Sequence, residues 1–229
     1  MYPYFFDWTY LLLIPAMILS LYAQYMVRST YSRYSRRTSG SGMTGASMAK
    51  MLLQKNGLGN VAVDRVAGEM TDHYDPRDKS LHLSDGVYAS DSVAALSIVA
   101  HEVGHAVQDA KSYFPLKFRS VLVPVSNWGS TLSIPLFFAG ILMSYGPLMD
   151  LGIIMFSLAV AFTVITLPVE FNASTRAMVM LNGTGSLAKD ELGMARQMLT
   201  AAALTYVANT AMSVMQLIRL VVLRNSRND

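Results

Sequence analysis

The sequence predicts an integral membrane protein of mixed α and β structure, in which about four transmembrane helices are combined with a small β-hairpin or sheet. Three observations support this fold class. Of the 229 residues, 52% are hydrophobic and 14% are charged, and the mean hydropathy of +0.34 is too high for an ordinary soluble domain. Four apolar segments are long enough for a helix to cross a bilayer. A short segment of alternating apolar and polar residues, 80–84, precedes a long helical segment.

The first apolar segment, residues 8–27, predicts transmembrane helix 1. Aromatic residues of the kind found at membrane interfaces precede it at Tyr2, Tyr4, Phe5 and Phe6. No basic residue precedes this segment, which argues against a cleaved signal peptide. Because positive residues stay on the cytosolic side, we expect the N-terminus outside and the following region inside. The basic residues that follow are Arg28, Arg33, Arg36, Arg37, Lys50 and Lys55.

The other apolar segments predict a transmembrane hairpin over 120–169 and a fourth transmembrane helix over 200–223. The hairpin turn is expected at 146–150, which has no Lys or Arg, whereas basic residues lie on both sides of the hairpin. Both of its ends are therefore expected inside. The fourth segment contains Arg219 and is followed by Arg224. If it crosses, these cations lie outside, against the rule; if it does not, it packs on the protein or lies at the interface.

The more polar remainder, residues 28–119 and 170–199, predicts a cytosolic region. Residues typical of helix ends and of turns divide this region into short helices and strands. These are a helix from Thr44 to Gly57, a strand over 61–66, a hairpin of 69–74 with 80–84, and an amphipathic helix over 187–199 after a loop at 182–186.

Residues 101–109 read His-Glu-Val-Gly-His-Ala-Val-Gln-Asp. They lie in a predicted helix, and capping residues at 90–92 mark its start. On a helix, His101 and His105 lie on one face, one turn apart. Two imidazoles at that spacing can share one Zn²⁺, and the carboxylate of Glu102 can take a proton from water that the metal activates. The motif therefore predicts a catalytic zinc helix.

A catalytic zinc site usually takes a third protein ligand. The remaining histidines, His73 and His82, lie upstream, and Glu170 directly follows a long apolar stretch, where a carboxylate suggests a function. These three side chains are the candidates that the residues themselves offer. The sequence has no cysteine, which excludes thiolate ligands and disulfides.

The chain resembles the YugP-type neutral zinc metallopeptidases of bacterial membranes, which are related to the heat-shock and CAAX-processing membrane zinc peptidases. Residues 90–109, 170–177 after the hydrophobic hairpin, and 71–76 carry this resemblance. It implies a zincin-like (gluzincin-like) catalytic region with the HExxH helix, and Glu170 as the third ligand. In such enzymes an Asp four residues later orients a zinc histidine.

This chain has Ser174 at the position of that Asp. Asp109, one turn beyond His105, and Asn172 are therefore the candidates to support a zinc histidine instead.

The sequence thus predicts a zinc-dependent endopeptidase in which Glu102 takes and then donates a proton while water attacks a peptide carbonyl. Candidate donors to the oxyanion are His73, Tyr74 and Arg176. The expected substrate is an unfolded or membrane-proximal polypeptide, and the expected location is a multi-pass position in the plasma membrane with the site facing the cytosol.

Two alternatives and the question of partners stay open. One alternative is a membrane adaptor or chaperone that keeps zinc for structure, which a fourth protein ligand such as His73 would favour. The other is hydrolysis of a lipid-linked or other non-peptide amide. The bilayer is an expected partner, and self-association is open. The net charge of +3 gives no support for nucleic-acid binding, since the basic residues cluster beside a span.

Overall fold

A computed structural model describes residues 8–226 of the chain, which are mostly helical with one three-stranded sheet. The aromatic residues Tyr2, Tyr4, Phe5 and Phe6 lie outside the described residues. A 3-10 turn over Trp8–Leu13 leads directly into the first helix. The elements that follow are α1 (Ile14–Tyr34), α2 (Gly45–Lys55), β1 (Ala62–Val66), β2 (His73–Asp75), β3 (Ser80–Ser84), α3 (Asp85–Tyr88), α4 (Val93–Ala110), α5 (Phe114–Leu142), α6 (Gly146–Thr184) and α7 (Lys189–Asn225).

Four helices of the described chain are long and apolar enough to cross a membrane, in agreement with the predicted fold class. They are Trp8–Tyr34, Phe114–Leu142, Gly146–Thr184 and Lys189–Asn225. The turn predicted at 146–150 is wrong, because α6 already begins at Gly146. Pro147 lies in the first turn of this helix, where its missing N–H removes no helical hydrogen bond. The chain turns instead at 143–145, where Ser144 has a positive φ of 50°.

Helices α6 and α7 are longer than predicted, because each joins an apolar segment to a more polar one without a break. Helix α6 continues through Glu170 to Thr184, so most of the loop predicted at 182–186 is helical. Gly185, with a φ of 64°, ends it in the left-handed conformation that favours glycine. The predicted amphipathic helix and the fourth apolar segment together form α7.

The described chain divides into two compact units, and the first comprises residues 8–24, 118–167 and 205–226. Within it the guanidinium of Arg219 is buried, donates from Nε to Thr9 Oγ1 at 3.1 Å and lies 3.8 Å from the centre of the Tyr10 ring. Arg224 pairs with Asp150, with Nε 2.7 Å from Oδ1. These contacts explain how an apolar helix carries two arginines, since a charge in such a segment requires polar partners inside the protein.

The second unit comprises residues 25–117 and 168–204 and contains the sheet, whose strand order is β1-β3-β2. β1 runs parallel to β3, and β2 runs antiparallel to β3 with Tyr74 opposite Leu81. The predicted hairpin is therefore confirmed, although its first strand covers only His73–Asp75. Leu81 and Leu83 are fully buried in a core that includes residues of α2 and α4.

Helix α4 is buried along most of its length within this unit. Its start is fixed by Ser92, whose side chain accepts a hydrogen bond from the Ala95 N–H at 3.2 Å. Gly104 allows α4 to approach α6 closely, since a Cβ on this glycine would lie 2.6 Å from the carbonyl oxygen of Ala173. This crossing brings α4, the motif helix that carries His101 and His105, beside the turn of α6 that contains Glu170.

Candidate metal site

The three side chains His101, His105 and Glu170 come together between α4 and α6. Nε2 of His101 lies 3.2 Å from Oε2 of Glu170, and Nε2 of His105 lies 3.5 Å from the same oxygen. The two imidazole rings are 4.8 Å apart and nearly perpendicular. We call these residues the metal-site cluster, because their ligand atoms all lie within 4.8 Å of one another.

The donor set of the metal-site cluster fits zinc. In a tetrahedral site with Zn–N bonds of about 2.0–2.1 Å and Zn–O bonds of about 2.0–2.2 Å, neighbouring ligand atoms are separated by about 3.4 Å. The two distances from Glu170 to the imidazoles, 3.2 and 3.5 Å, lie on either side of that value. The Glu170 side chain is only 3% exposed, and a carboxylate buried to this degree requires positive charge nearby. The cluster can therefore hold a divalent ion through two nitrogens and one oxygen.

The other nitrogen of each imidazole also has an oxygen partner. Nδ1 of His101 lies 3.1 Å from Oγ of Ser174, and Nδ1 of His105 lies 3.0 Å from Oε1 of Gln108. With Nε2 on a metal, Nδ1–H donates to these oxygens, which fixes the tautomer and the ring orientation. Ser174, at the position where the resemblance implies an Asp, thus lies within hydrogen-bond distance of the His101 ring.

Gln108 is not among the residues predicted from the sequence, where Asp109 and Asn172 are the candidates to support a zinc histidine. It is fully buried, and its Nε2 donates to the carbonyl of Val169 at 2.8 Å and to Oδ1 of Asn172 at 3.0 Å. The residue therefore connects His105 directly to α6. Its position three residues after His105 in a buried helix was the signal available, since a buried amide must find partners.

Glu102 lies beside the cluster on α4 and is buried, with 9% of its surface exposed. Its Oε2 accepts a hydrogen bond from the backbone N–H of Tyr74 in β2 at 3.2 Å. Burial raises the pKa of Glu102, although the neighbouring imidazoles of His101 and His105 oppose the shift. A carboxylate with a raised pKa is a better proton acceptor than an ordinary one, which suits a general base.

The remaining predicted residues lie around the cluster without joining it in the described chain. Asp109 accepts a hydrogen bond from the Tyr74 hydroxyl and pairs with Lys79, so its expected contact with a site histidine is corrected. Asn172 acts on His105 only through Gln108, and it also accepts from Nε of Arg176 at 2.7 Å.

The two upstream histidines lie on the sheet. His73 is exposed, stacks on His82 with ring centres 4.7 Å apart, and its Nδ1 lies 2.8 Å from the Thr71 carbonyl. Neither of them belongs to the group of metal-ligating side chains found among the described residues. The choice among His73, His82 and Glu170 as third ligand therefore favours Glu170.

Comparison with known proteins extends over nearly the whole chain. Residues 9–225 match the family described as "Putative neutral zinc metallopeptidase". The chain is also 44% identical over 219 residues to the "Putative membrane protease YugP" of Bacillus subtilis, and the match covers 95% of this chain and 97% of that protein. No solved structure matches the chain. The matched residues include the metal-site cluster, Glu102 and the four candidate membrane helices.

Proposed function

Because the chain belongs to the neutral zinc metallopeptidase family, we propose that it is a membrane-embedded endopeptidase whose zinc is held by His101, His105 and Glu170. The observation that carries this proposal is the meeting of two imidazoles and one buried carboxylate within 4.8 Å, although Glu170 lies 65 residues beyond His105 in the sequence. Zinc, when bound by three protein ligands, lowers the pKa of water and polarises a carbonyl group.

Glu102 is the proposed general base. It takes a proton from the water that attacks the peptide carbonyl and gives the proton to the leaving nitrogen. The Tyr74 N–H restricts where the carboxylate can point, because it donates to Oε2. Ser174 and Gln108 hold the two imidazoles through their Nδ1 atoms and so keep Nε2 of each ring directed at Glu170.

The proposed substrate is an unfolded or membrane-proximal polypeptide. β2 is an edge strand of the sheet. Its Tyr74 N–H already donates to Glu102, and an extended peptide can add to the other main-chain groups of a strand edge through hydrogen bonds. Tyr74, in the middle of β2, contacts Glu102, so a peptide aligned on this strand would pass the general base. This arrangement of an edge strand beside the HExxH helix supports a zincin-like catalytic region.

We also propose that all four candidate helices cross the membrane and that the second unit faces the cytosol. The basic residues that follow the first span and the lack of Lys and Arg at 146–150 support this orientation. The fourth helix departs from the rule with Arg219 and Arg224. Their contacts with Thr9 and Asp150 inside the first unit supply polar partners for both cations.

The test compares wild type with Glu102→Gln, purified in detergent, on an unfolded membrane-protein substrate with and without a chelator. Glutamine is nearly isosteric and Glu102 is not a proposed ligand, so the variant should keep its fold and zinc. Loss of proton transfer should lower the rate about 10²–10⁴-fold. Glu69→Gln, which changes an exposed carboxylate, is the matched control and should cleave normally.

Three results would contradict the proposal. Equal cleavage by wild type and Glu102→Gln would remove Glu102 as the base. No cleavage by either protein, with zinc present and four protein ligands around it, would favour an adaptor that keeps zinc for structure. Chelator-sensitive release of a non-peptide acyl group, without cleavage of polypeptide, would favour an amidase.

A further inference from the structure

Tyr74 makes two contacts with the motif helix, one from its backbone and one from its side chain. Its N–H donates to Oε2 of Glu102 at 3.2 Å, and its hydroxyl donates to Oδ2 of Asp109 at 2.8 Å. Glu102 and Asp109 lie seven residues apart on one face of α4, which is two helical turns or about 10 Å. A single residue of the edge strand therefore lies along two turns of the helix.

Asp109 would be unfavourable in its position without these partners. It lies in the last turn of α4, where the helix dipole disfavours a negative charge. Two donors compensate, since Lys79 at the β2–β3 turn pairs with the same Oδ2 that accepts from Tyr74. The Asp109 side chain is 16% exposed, so these contacts are partly shielded from water.

The Tyr74 hydroxyl remains a donor over a wide pH range. Burial, together with the hydrogen bond to Asp109, raises the pKa of Tyr74 well above its ordinary value. The Tyr74 hydroxyl donates its hydrogen bond to Asp109, whereas a donor to an oxyanion must point at the reacting carbonyl.

We propose that Tyr74 and Asp109 are positioning residues, whose hydroxyl–carboxylate hydrogen bond holds the edge strand β2 against α4 and so sets the place of Glu102. This inference rests on the proposed function, because it assigns a role relative to the general base. It revises the expectation that Tyr74 or Asp109 contacts the oxyanion or a zinc histidine.

The experiment is a double-mutant cycle on the zinc-loaded, full-length protein in detergent, with kcat and KM measured on an unfolded polypeptide. Tyr74→Phe and Asp109→Ala should each lower kcat about tenfold, the effect that one partly buried hydrogen bond to a charged group supports. The double variant should be no slower than Asp109→Ala, because Asp109→Ala already removes the hydrogen bond that Tyr74→Phe removes, together with the Lys79 pair. KM and zinc content should stay close to those of wild type, and the melting temperature should fall by only a few degrees.

Two further variants separate positioning from stability. Asp109→Asn still presents an oxygen to the Tyr74 hydroxyl and should recover most of the kcat that Asp109→Ala loses. Tyr88→Phe removes a hydroxyl from another tyrosine that packs against the core of the same unit, and it should leave kcat unchanged.

The inference is overturned if Asp109→Ala keeps the wild-type kcat, or if the losses of the two single variants multiply in the double variant. If kcat falls 10²–10³-fold in Tyr74→Phe and keeps its wild-type value in Asp109→Ala, Tyr74 is instead a direct oxyanion donor. If wild type cleaves and Glu102→Gln does not, such results reject only the positioning role. If wild type itself does not cleave, the proposed function fails first.

Discussion

Replacing Gly104 by alanine tests whether the crossing of α4 and α6 sets the geometry of the metal-site cluster. The added Cβ would lie 2.6 Å from the Ala173 carbonyl oxygen and 3.2 Å from the Ala173 Cα. Ordinary van der Waals contact with a Cβ begins at 3.4 Å, so the two helices must separate by about 0.8 Å at this point.

A separation of this size is larger than the variation in zinc–ligand distance that a zinc site tolerates. Ala173 lies three residues after Glu170 on α6, and Gly104 lies between His101 and His105 on α4, so the shift reaches all three ligands. Zinc–ligand distances tolerate deviations of only about 0.2 Å. We therefore expect Gly104→Ala to lower zinc affinity about 10–100-fold, the range seen when support around a metal site is disturbed.

The effect on folding should be smaller than the effect on zinc. Overpacking costs about 1–3 kcal/mol, whereas alanine gains up to about 1 kcal/mol over glycine within a helix. The free energy of unfolding of the metal-free protein should thus fall by about 0–3 kcal/mol.

The assay is zinc retention against a chelator series, read together with the melting temperature of the metal-free protein. Gly183→Ala is the matched control, since it lies on α6 with no atom within 4 Å of its added Cβ. It should bind zinc normally and be slightly stabilised. Wild-type zinc affinity in Gly104→Ala would mean that this helix crossing does not position the ligands.

The third ligand, the support of His105 and the membrane orientation can each be tested by substitution. Glu170→Gln should lose most of its zinc, whereas His82→Ala should keep it; full occupancy in Glu170→Gln would reject this carboxylate as a ligand. Gln108→Leu should bind zinc about 10–100-fold more weakly, because the Nδ1–H of the site imidazole loses its acceptor; unchanged binding would make this amide merely structural. Cysteine probes at Ser41 should react only from the cytosol and at Gly146 only from outside, and labelling of Ser41 in intact cells by an impermeant reagent would reverse the orientation.

The features that depend on local pattern could be predicted from the sequence. The four apolar segments follow from length and composition, and the position of His101, Glu102 and His105 on one helix follows from its periodicity and from the cap at Ser92. The β2–β3 hairpin was likewise predictable, because turn residues separate two short segments.

The features that depend on the packing of distant segments could not be predicted in this way. Glu170 entered as one of three possible third ligands, and only a family resemblance selected it before the structure brought it to the imidazoles. The role of Gln108 depends on which carbonyl of α6 it meets, which no local pattern encodes. The close approach at Gly104 depends in the same way on how two helices cross.

In the proposed function, two imidazoles and one carboxylate bind the zinc of a hydrolytic site. A crystal structure of the full-length protein grown with zinc, with the metal located by its anomalous scattering, tests this most directly. We predict the metal within bonding distance of His101, His105 and Glu170, with the remaining position taken by solvent or substrate rather than by a side chain. Zinc bound elsewhere, zinc without Glu170 among its ligands, or a fourth protein side chain such as His73 on the metal would contradict this assignment of a hydrolytic zinc site.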